Sequence, residues 1–289
     1  IRKGVGMALF CYKTGVYPIS LETAAARVIL NQDGSVMVSM GATEIGQGAD
    51  TVFAQIAAET LGVRFRDIHI ISTQDTDVTP FDTAAYASRQ SYISGGVLKQ
   101  VCEELLDKIL DRAEWLTSIP KDELYLRDSV IYHGETQVLT LAELALDSYY
   151  SLVKSEQLSA EKTRQVKENT YAFGACFTEI EVDIPVGKIK ILDIINVHDS
   201  GVILNPALAE AQVHGGIGMS IGYAMGERLI YDSEALPLNA NLLDYKLPTA
   251  MDLPDLSVDF VETVDPTGPF GNKALGEPPA IPSAPAIRN

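Results

Sequence analysis

The chain is poor in the residues that cross-link a fold or ligate a metal. Three cysteines occur in 289 residues, Cys11, Cys102 and Cys176. They are odd in number and widely spaced, with no Cys-x-x-Cys pair, which excludes a disulfide framework and a cysteine-ligated zinc or iron–sulfur site within the chain. Basic residues are also scarce. Twenty-two Lys and Arg stand against 39 Asp and Glu, a formal net charge of −17 and a pI near 4.6. Such a surface repels a phosphate backbone, so nucleic acid is not an expected partner. No apolar run approaches the ~18 residues of a membrane span, and the first twenty residues lack a signal-peptide cleavage pattern. No membrane partner is expected, and a cytoplasmic location is the default expectation. There is no Gly-x-Gly-x-x-Gly dinucleotide fingerprint. The four histidines, His69, His133, His198 and His214, have no nucleophile or metal-ligand partner at a meaningful spacing, and read as structural or surface residues.

What is present is a globular composition. Hydrophobic residues make up 46% and charged residues 21%, enough apolar material for one large core or two ordinary ones. The run ARVILNQDGSVMVSM places two β-branched segments around Asp33-Gly34, predicting a hairpin over about 25–40. The Gly-rich GATEIGQGAD then opens TVFAQIAAETLGV, whose apolar residues follow the helical period. A strand is expected at 67–72, a polar loop over 74–90 and a long amphipathic helix after it. Residues 118–170 are charged and weakly periodic, with a small strand at 128–132 and a helix at 140–147. Two strands flank Pro185-Val186-Gly187, a Gly-rich helix follows Asn205-Pro206, and 250–289 reads as Pro-rich loop apart from a strand near 256–262 and a helix start at the very end. Repeated strand–loop–helix units with mixed sheets make an α+β architecture.

Four segments are candidates for chemistry. In Gly46-Gln47-Gly48, glycines let backbone N–H groups approach a ligand at a helix N-terminus, and Gln47 offers a donor and an acceptor; a capped tight turn fits the same residues. In Asp82–Ser91, small residues and hydroxyls lead into a helix with Arg89, which suits a polar heterocycle or phosphate, or an N-cap with an exposed arginine. Gln212 shares a helix face with Gly215, Gly216 and Gly218, a pattern of ligand contact or of close helix packing. In Gly276-Glu277-Pro278-Pro279, Pro278 restricts Glu277 to an extended backbone, a rigid mount for a general base whose pKa burial would raise, or else a solvated turn.

Taken in order, GATEIGQGAD, TAAYASRQS, NPALAEAQVHGGIGMSIGYAM and KALGEPPAIPSAPAIRN resemble the second half of the molybdenum-binding subunit of the xanthine dehydrogenase and aldehyde oxidoreductase family. The resemblance spans 1–289 and is weakest over 118–170, implying subdomains 1–117 and 171–289 joined by a variable region. It implies the family's molybdenum cofactor-binding fold. It also implies that Glu277 is the base beside molybdenum, acting on a Mo–OH group that attacks an electron-poor carbon while hydride passes to a sulfido or selenido ligand. By the same resemblance Gly46, Gln47, Gly48, Ala85, Ser88, Arg89, Gln90, Gln212 and Gly276 bind the molybdopterin, in its cytosine dinucleotide form, and Tyr12 enters the substrate pocket. Ala211 stands where the family commonly has glycine. Electrons would leave through [2Fe-2S] clusters and FAD on other subunits. The family's first half, with its Gly-Gly-Phe-Gly loop, is absent, so the cofactor would be shared with a larger molybdopterin chain, and the start at Arg2-Lys3-Gly4 reads as a natural boundary. Such a division is similar to that of the nicotinate dehydrogenases of anaerobic bacteria, in which this region is the medium molybdopterin subunit. The expected substrate is a small N-heteroaromatic such as nicotinate; a purine, an aldehyde, carbon monoxide and an aryl thioester fit the same family, and a non-catalytic scaffold or cofactor-assembly subunit is the alternative of another class.

Overall fold

The computed structural model describes residues 1–71 and 75–289. In chain order its first elements are β1 (Arg2–Lys13), β2 (Glu22–Leu30), β3 (Val36–Met40), α1 (Ala49–Leu61), β4 (Ile68–Ile71) and α2 (Gly95–Thr117). Then come β5 (Leu124–Arg127), β6 (Val130–His133), β7 (Thr136–Thr140), α3 (Leu141–Tyr150) and β8 (Ser159–Val166). The remainder are β9 (Tyr171–Asp183), β10 (Lys188–Asp199), α4 (Pro206–Met225), β11 (Asp255–Phe260) and α5 (Ala280–Arg288). The expected strand at 67–72 is seen as β4; Ser72, and Gln74 at the start of the polar loop, lie outside the described residues.

The chain forms two compact units, one of residues 1–14, 170–266 and 270–289, the other of 15–169 and 267–269. Residues 118–170 join the second unit instead of standing apart, because β8 completes its main sheet as the antiparallel neighbour of β2. That sheet has the order β4-β3-β2-β8, and α1 and α2 pack on it. The hairpin forms where Asp33-Gly34 predicts it: Gly34 takes a left-handed φ of 82°, and the Asp33 carboxylate accepts from the Ser35 N–H and hydroxyl. The core is aliphatic and aromatic, with Leu30, Val38, Phe53, Ile56, Leu61 and Leu98 all buried. A small sheet, β5-β6-β7, carries α3, whose N-terminus closes with the reciprocal Thr140/Glu143 capping box.

The first unit is a sheet of order β1-β9-β10-β11, antiparallel except for the parallel β10/β11 pair. Its core is formed by Cys176, Ile194, Val213, Ile217, Ile221, Ala286 and Ile287, which brings α4 and α5 onto one face. The Pro-rich stretch 250–289 is therefore not loop to its end: residues 280–288 are helical. Pro282 falls in the first turn, where an N–H is not needed, and Pro285 is carried inside the helix by packing against α4.

His198, at the end of β10, is fully buried between Phe10 and Phe260, with ring centroids at 5.3 and 6.2 Å. Burial pushes its pKa down to about 4. Against an ordinary value near 6.5, the unfolded chain binds a proton in this window that the folded chain refuses. Its contribution to stability is complete above about pH 6.5, and about 3 kcal/mol of it is lost as pH falls through 4. Urea denaturation from pH 7 to 4 should show a shallower acid limb for His198→Phe than for the wild type; equal slopes would assign the acid lability to other groups.

Candidate functional site

In the second unit the loop before α1 is organised by a residue the sequence reading did not single out. Glu44 accepts from the backbone N–H groups of Gly46 at 2.6 Å, Gly48 at 3.1 Å and Asp50 at 3.1 Å. Although burial opposes it, these bonds hold the Glu44 carboxyl below the usual range. The positive end of α1 is thus answered by the chain's own carboxylate. Gly46 at φ 103° has open space where a Cβ would stand, so the glycine serves the turn and leaves its outer side clear.

Gln47 and Gln90, 43 residues apart, meet here. The Gln47 amide donates to the Gln90 carbonyl and, at 3.0 Å, to the Thr43 carbonyl, while Gln90 donates to the same Thr43 oxygen at 2.9 Å. The Ile45 N–H donates to the Gln47 carbonyl at 2.8 Å. Each amide is locked, with Gln90 retaining one N–H and Gln47 one carbonyl lone pair for another group. Gln90 begins a π-helical turn, Gln90–Ser94, that leads into α2; such turns recur at functional sites.

Just before it, Ala84, Ala87 and Ser88 have left-handed or positive φ of 118°, 48° and 50°, with Ala85 between them half-buried. Three non-glycine residues in this region cost roughly 1–3 kcal/mol each, and strain of this kind collects at ligand clamps. What holds the segment is Arg89. Its side chain is fully buried, donating to Glu22 at 2.6 Å, Asp82 at 2.5 Å, the Ala84 carbonyl at 3.0 Å and the Thr23 carbonyl at 2.9 Å. Four of its five N–H donors are spent inside the chain. Arg89, expected from the resemblance to contact the cofactor, pins the strained 84–88 backbone to β2. Nothing local in the sequence marks Glu22 as its partner, 67 positions away.

In the first unit, Tyr12 and Glu277 are brought together across 265 positions. The Tyr12 hydroxyl donates to Glu277 Oε2 at 2.5 Å. Tyr12, one residue before the end of β1, packs against Phe10, Ala172 and Ala274. The 272–277 segment is held beside it by the Ala274 N–H on Thr14 Oγ1 at 3.2 Å, by Lys273 on Asp199 at 2.7 Å and by the Lys273 N–H on the Ser200 carbonyl at 2.8 Å. Burial works against ionisation of Asp199, but Lys273, Thr263 and the Gly201 N–H hold its pKa below the usual value.

Glu277 sits directly before α5, its carbonyl accepting from the Ala280 N–H at 3.1 Å. A Cβ on Gly216 of α4 would come within 2.7 Å of Pro279, so glycine is what lets the proline turn settle onto α4. Ser220 of α4 donates to the Ala280 carbonyl at 2.9 Å and accepts from the Ala284 N–H at 2.8 Å. Of the helix glycines, Gly216 serves packing while Gly215 faces open space. Gln212 is half-buried, and among the described residues none hydrogen-bonds its amide. Glu277 and Gly276 are both exposed, so this chain does not itself supply the burial expected around the base. Among the described residues, no group of three or more His, Cys, Asp or Glu is arranged to hold a metal ion and no helix is long and apolar enough to cross a membrane.

Residues 1–254 match the family described as the molybdopterin cofactor-binding domain. The chain is 48% identical, over its whole length, to a putative xanthine dehydrogenase molybdenum-binding subunit of Escherichia coli K12, and covers 39% of that protein. It is 30% identical over 99% of its length to the carbon monoxide dehydrogenase large chain of Afipia carboxidovorans, covering 37% of it. Its fold matches quinoline 2-oxidoreductase from Pseudomonas putida 86 with a TM-score of 0.89 at 27% identity, over 99% of this chain and 38% of that one. The chain thus spans about two-fifths of the length of these relatives. A strained clamp, a locked amide pair and a proline-mounted carboxylate, found in a chain with this likeness, place it in the molybdopterin cofactor-binding domain family of the molybdenum hydroxylases.

Proposed function

We propose that this chain forms part of the molybdopterin site of a multi-subunit molybdenum hydroxylase and supplies its base, Glu277, for the hydroxylation of a small N-heteroaromatic by water. The observation that carries this reading is the Tyr12–Glu277 hydrogen bond on a proline-fixed turn. A general base needs such fixed placement. Each unit carries groups that fit a polar heterocyclic cofactor: in the second, Gln47 and Gln90 offer amide donors and acceptors beside the strained backbone of Ala84–Ser88, and Gly46 leaves room for close approach; in the first, Gln212 offers an amide and Gly215 faces open space. When bound, that group supplies two-electron oxidation of carbon. Glu277 receives the proton released as the oxygen of water bonds to the substrate carbon, and Tyr12 fixes one of its carboxylate oxygens. The cytosine dinucleotide form, [2Fe-2S] and FAD on other subunits, and a larger companion chain complete the proposal, together with a cytoplasmic location.

Nicotinate is the expected heteroaromatic. The 48% identity to a relative named as a xanthine dehydrogenase subunit favours a purine as the second reading. The assembly isolated with its companion chains should contain molybdenum, and its kcat/KM on nicotinate and xanthine decides between the two. A neutral-to-charged hydrogen bond is worth about 1.5–3 kcal/mol, so Tyr12→Phe should lower kcat about tenfold or more with little change in KM. Full turnover in that variant would remove Tyr12 from the site.

A further inference from the structure

The outward face of β1 and β9, on the side of the sheet away from α4 and α5, carries an exposed apolar stretch between charged ends. Antiparallel strands with one solvated face alternate apolar and polar residues; strands covered on both faces do not. The β1 sequence GVGMALFCY shows no such alternation. Its inward set includes Gly6, Ala8 and Phe10, and its outward set includes Val5, Met7 and Leu9. By register, Met7 lies beside Phe177 and Phe177 beside Ile195, an unbroken apolar row across three strands. Val5 and Leu9 are 73% and 70% exposed. The neighbouring row turns acidic past Val5: Glu179, opposite Val5 and paired with Lys3 at 3.3 Å, is level with Asp193, and Asp193 with Asp255.

A contiguous apolar surface of this kind marks a protein contact. Resting on the function proposed above, we infer that this sheet face docks the rest of the molybdenum-binding subunit, the polypeptide that the relatives carry beyond the two-fifths matched here. Three observations select that occupant. The relatives carry further sequence in one chain with this region, so a contact between the two would be permanent, and permanent interfaces resemble a core cut in half. The row Met7–Phe177–Ile195 has that character, with side chains that would form half a core and no charge among them. The acidic margin at Asp193 and Asp255 sets the chemistry of the partner's edge, which carries Lys or Arg where it meets β11. A second copy of this chain, at −17, brings acid against acid there.

The native assembly provides the test. Cys11, exposed on this chain and next along the same outward face, reports accessibility, whereas Cys102 and Cys176 are buried. Its alkylation by N-ethylmaleimide, read by mass spectrometry, should be at least about tenfold slower in the assembly than in the separated chain, and oxidative footprinting of Met7 should fall in parallel. Amine cross-links from Lys3 and Lys13, at the two ends of the β1 outward face, should reach the companion molybdopterin chain. Leu9→Asp should weaken retention of the companion about tenfold or more while the flavin and iron–sulfur chains remain bound to that companion. Free labelling of Cys11 and Met7 in an assembly that does contain the companion overturns this docking face and leaves the proposed function standing. Cross-links to a second copy, or to a flavin or iron–sulfur chain, also overturn it. An active, molybdenum-loaded enzyme with no companion chain overturns the proposed function, and the docking face with it.

Discussion

Replacing Glu277 with glutamine should lower kcat by about 10²–10⁴-fold, the range ascribed to a positioned general base, while molybdenum and pterin content stay at the wild-type level. Glutamine keeps the volume and can still accept from the Tyr12 hydroxyl, so the turn and its hydrogen bond at 2.5 Å should persist. What is lost is the ability to take up a proton. The mount is independent of the side chain, because the Glu277 carbonyl, the prolines and the Gly216 and Ser220 seam of α4 set its backbone. Metal analysis and steady-state kinetics on one preparation separate the two effects. A variant that keeps most of its turnover removes the base assignment; one that loses its metal assigns Glu277 to cofactor retention instead.

The second large effect is on stability and centres on Arg89. Arg89→Met leaves Glu22 and Asp82 as buried carboxylates without their cation, since both side chains are essentially inaccessible in the wild type. Removing one partner of a buried charge cluster costs about 3–5 kcal/mol. The Ala84–Ser88 backbone should relax with it, because the same guanidinium holds the Ala84 carbonyl. Urea denaturation would read the loss directly, and cofactor content should fall in the same variant. Neutralising the carboxylates as well, in Arg89→Met with Glu22→Gln and Asp82→Asn, should recover much of the stability but not the cofactor, since only the desolvation cost has been removed. If the single variant is as stable as the wild type, the cluster is not what holds this loop.

Much of the fold is written in short-range patterns. The Asp33-Gly34 hairpin, the strands around Pro185-Val186-Gly187 and the helices after the glycine-rich loops depend on neighbours within a few residues, and each stands where its pattern predicts. Residues 118–170 are harder to read because β8 is an edge strand whose alternation is mostly polar, and its place is decided by β2 more than a hundred positions earlier. The helix at 280–288 was hidden for a related reason: two prolines lower its local propensity, and packing on α4 outweighs them.

The candidate site divides along the same line. Sequence alone determined which residue types are available: a carboxylate between glycine and two prolines, three amides in glycine-rich surroundings, and an arginine among small residues. It also determined the rigidity of the Glu277 turn, which follows from proline's restricted backbone. Tertiary structure decided which of these groups meet. It put the Tyr12 hydroxyl on Glu277, set Gln47 against Gln90, gave the α1 N-terminus to Glu44, and drew Arg89 inward to Glu22 and Asp82. Those pairings span up to 265 positions, and around Arg89 they are selected by burial, where a charge must find a partner wherever the fold brings one within reach.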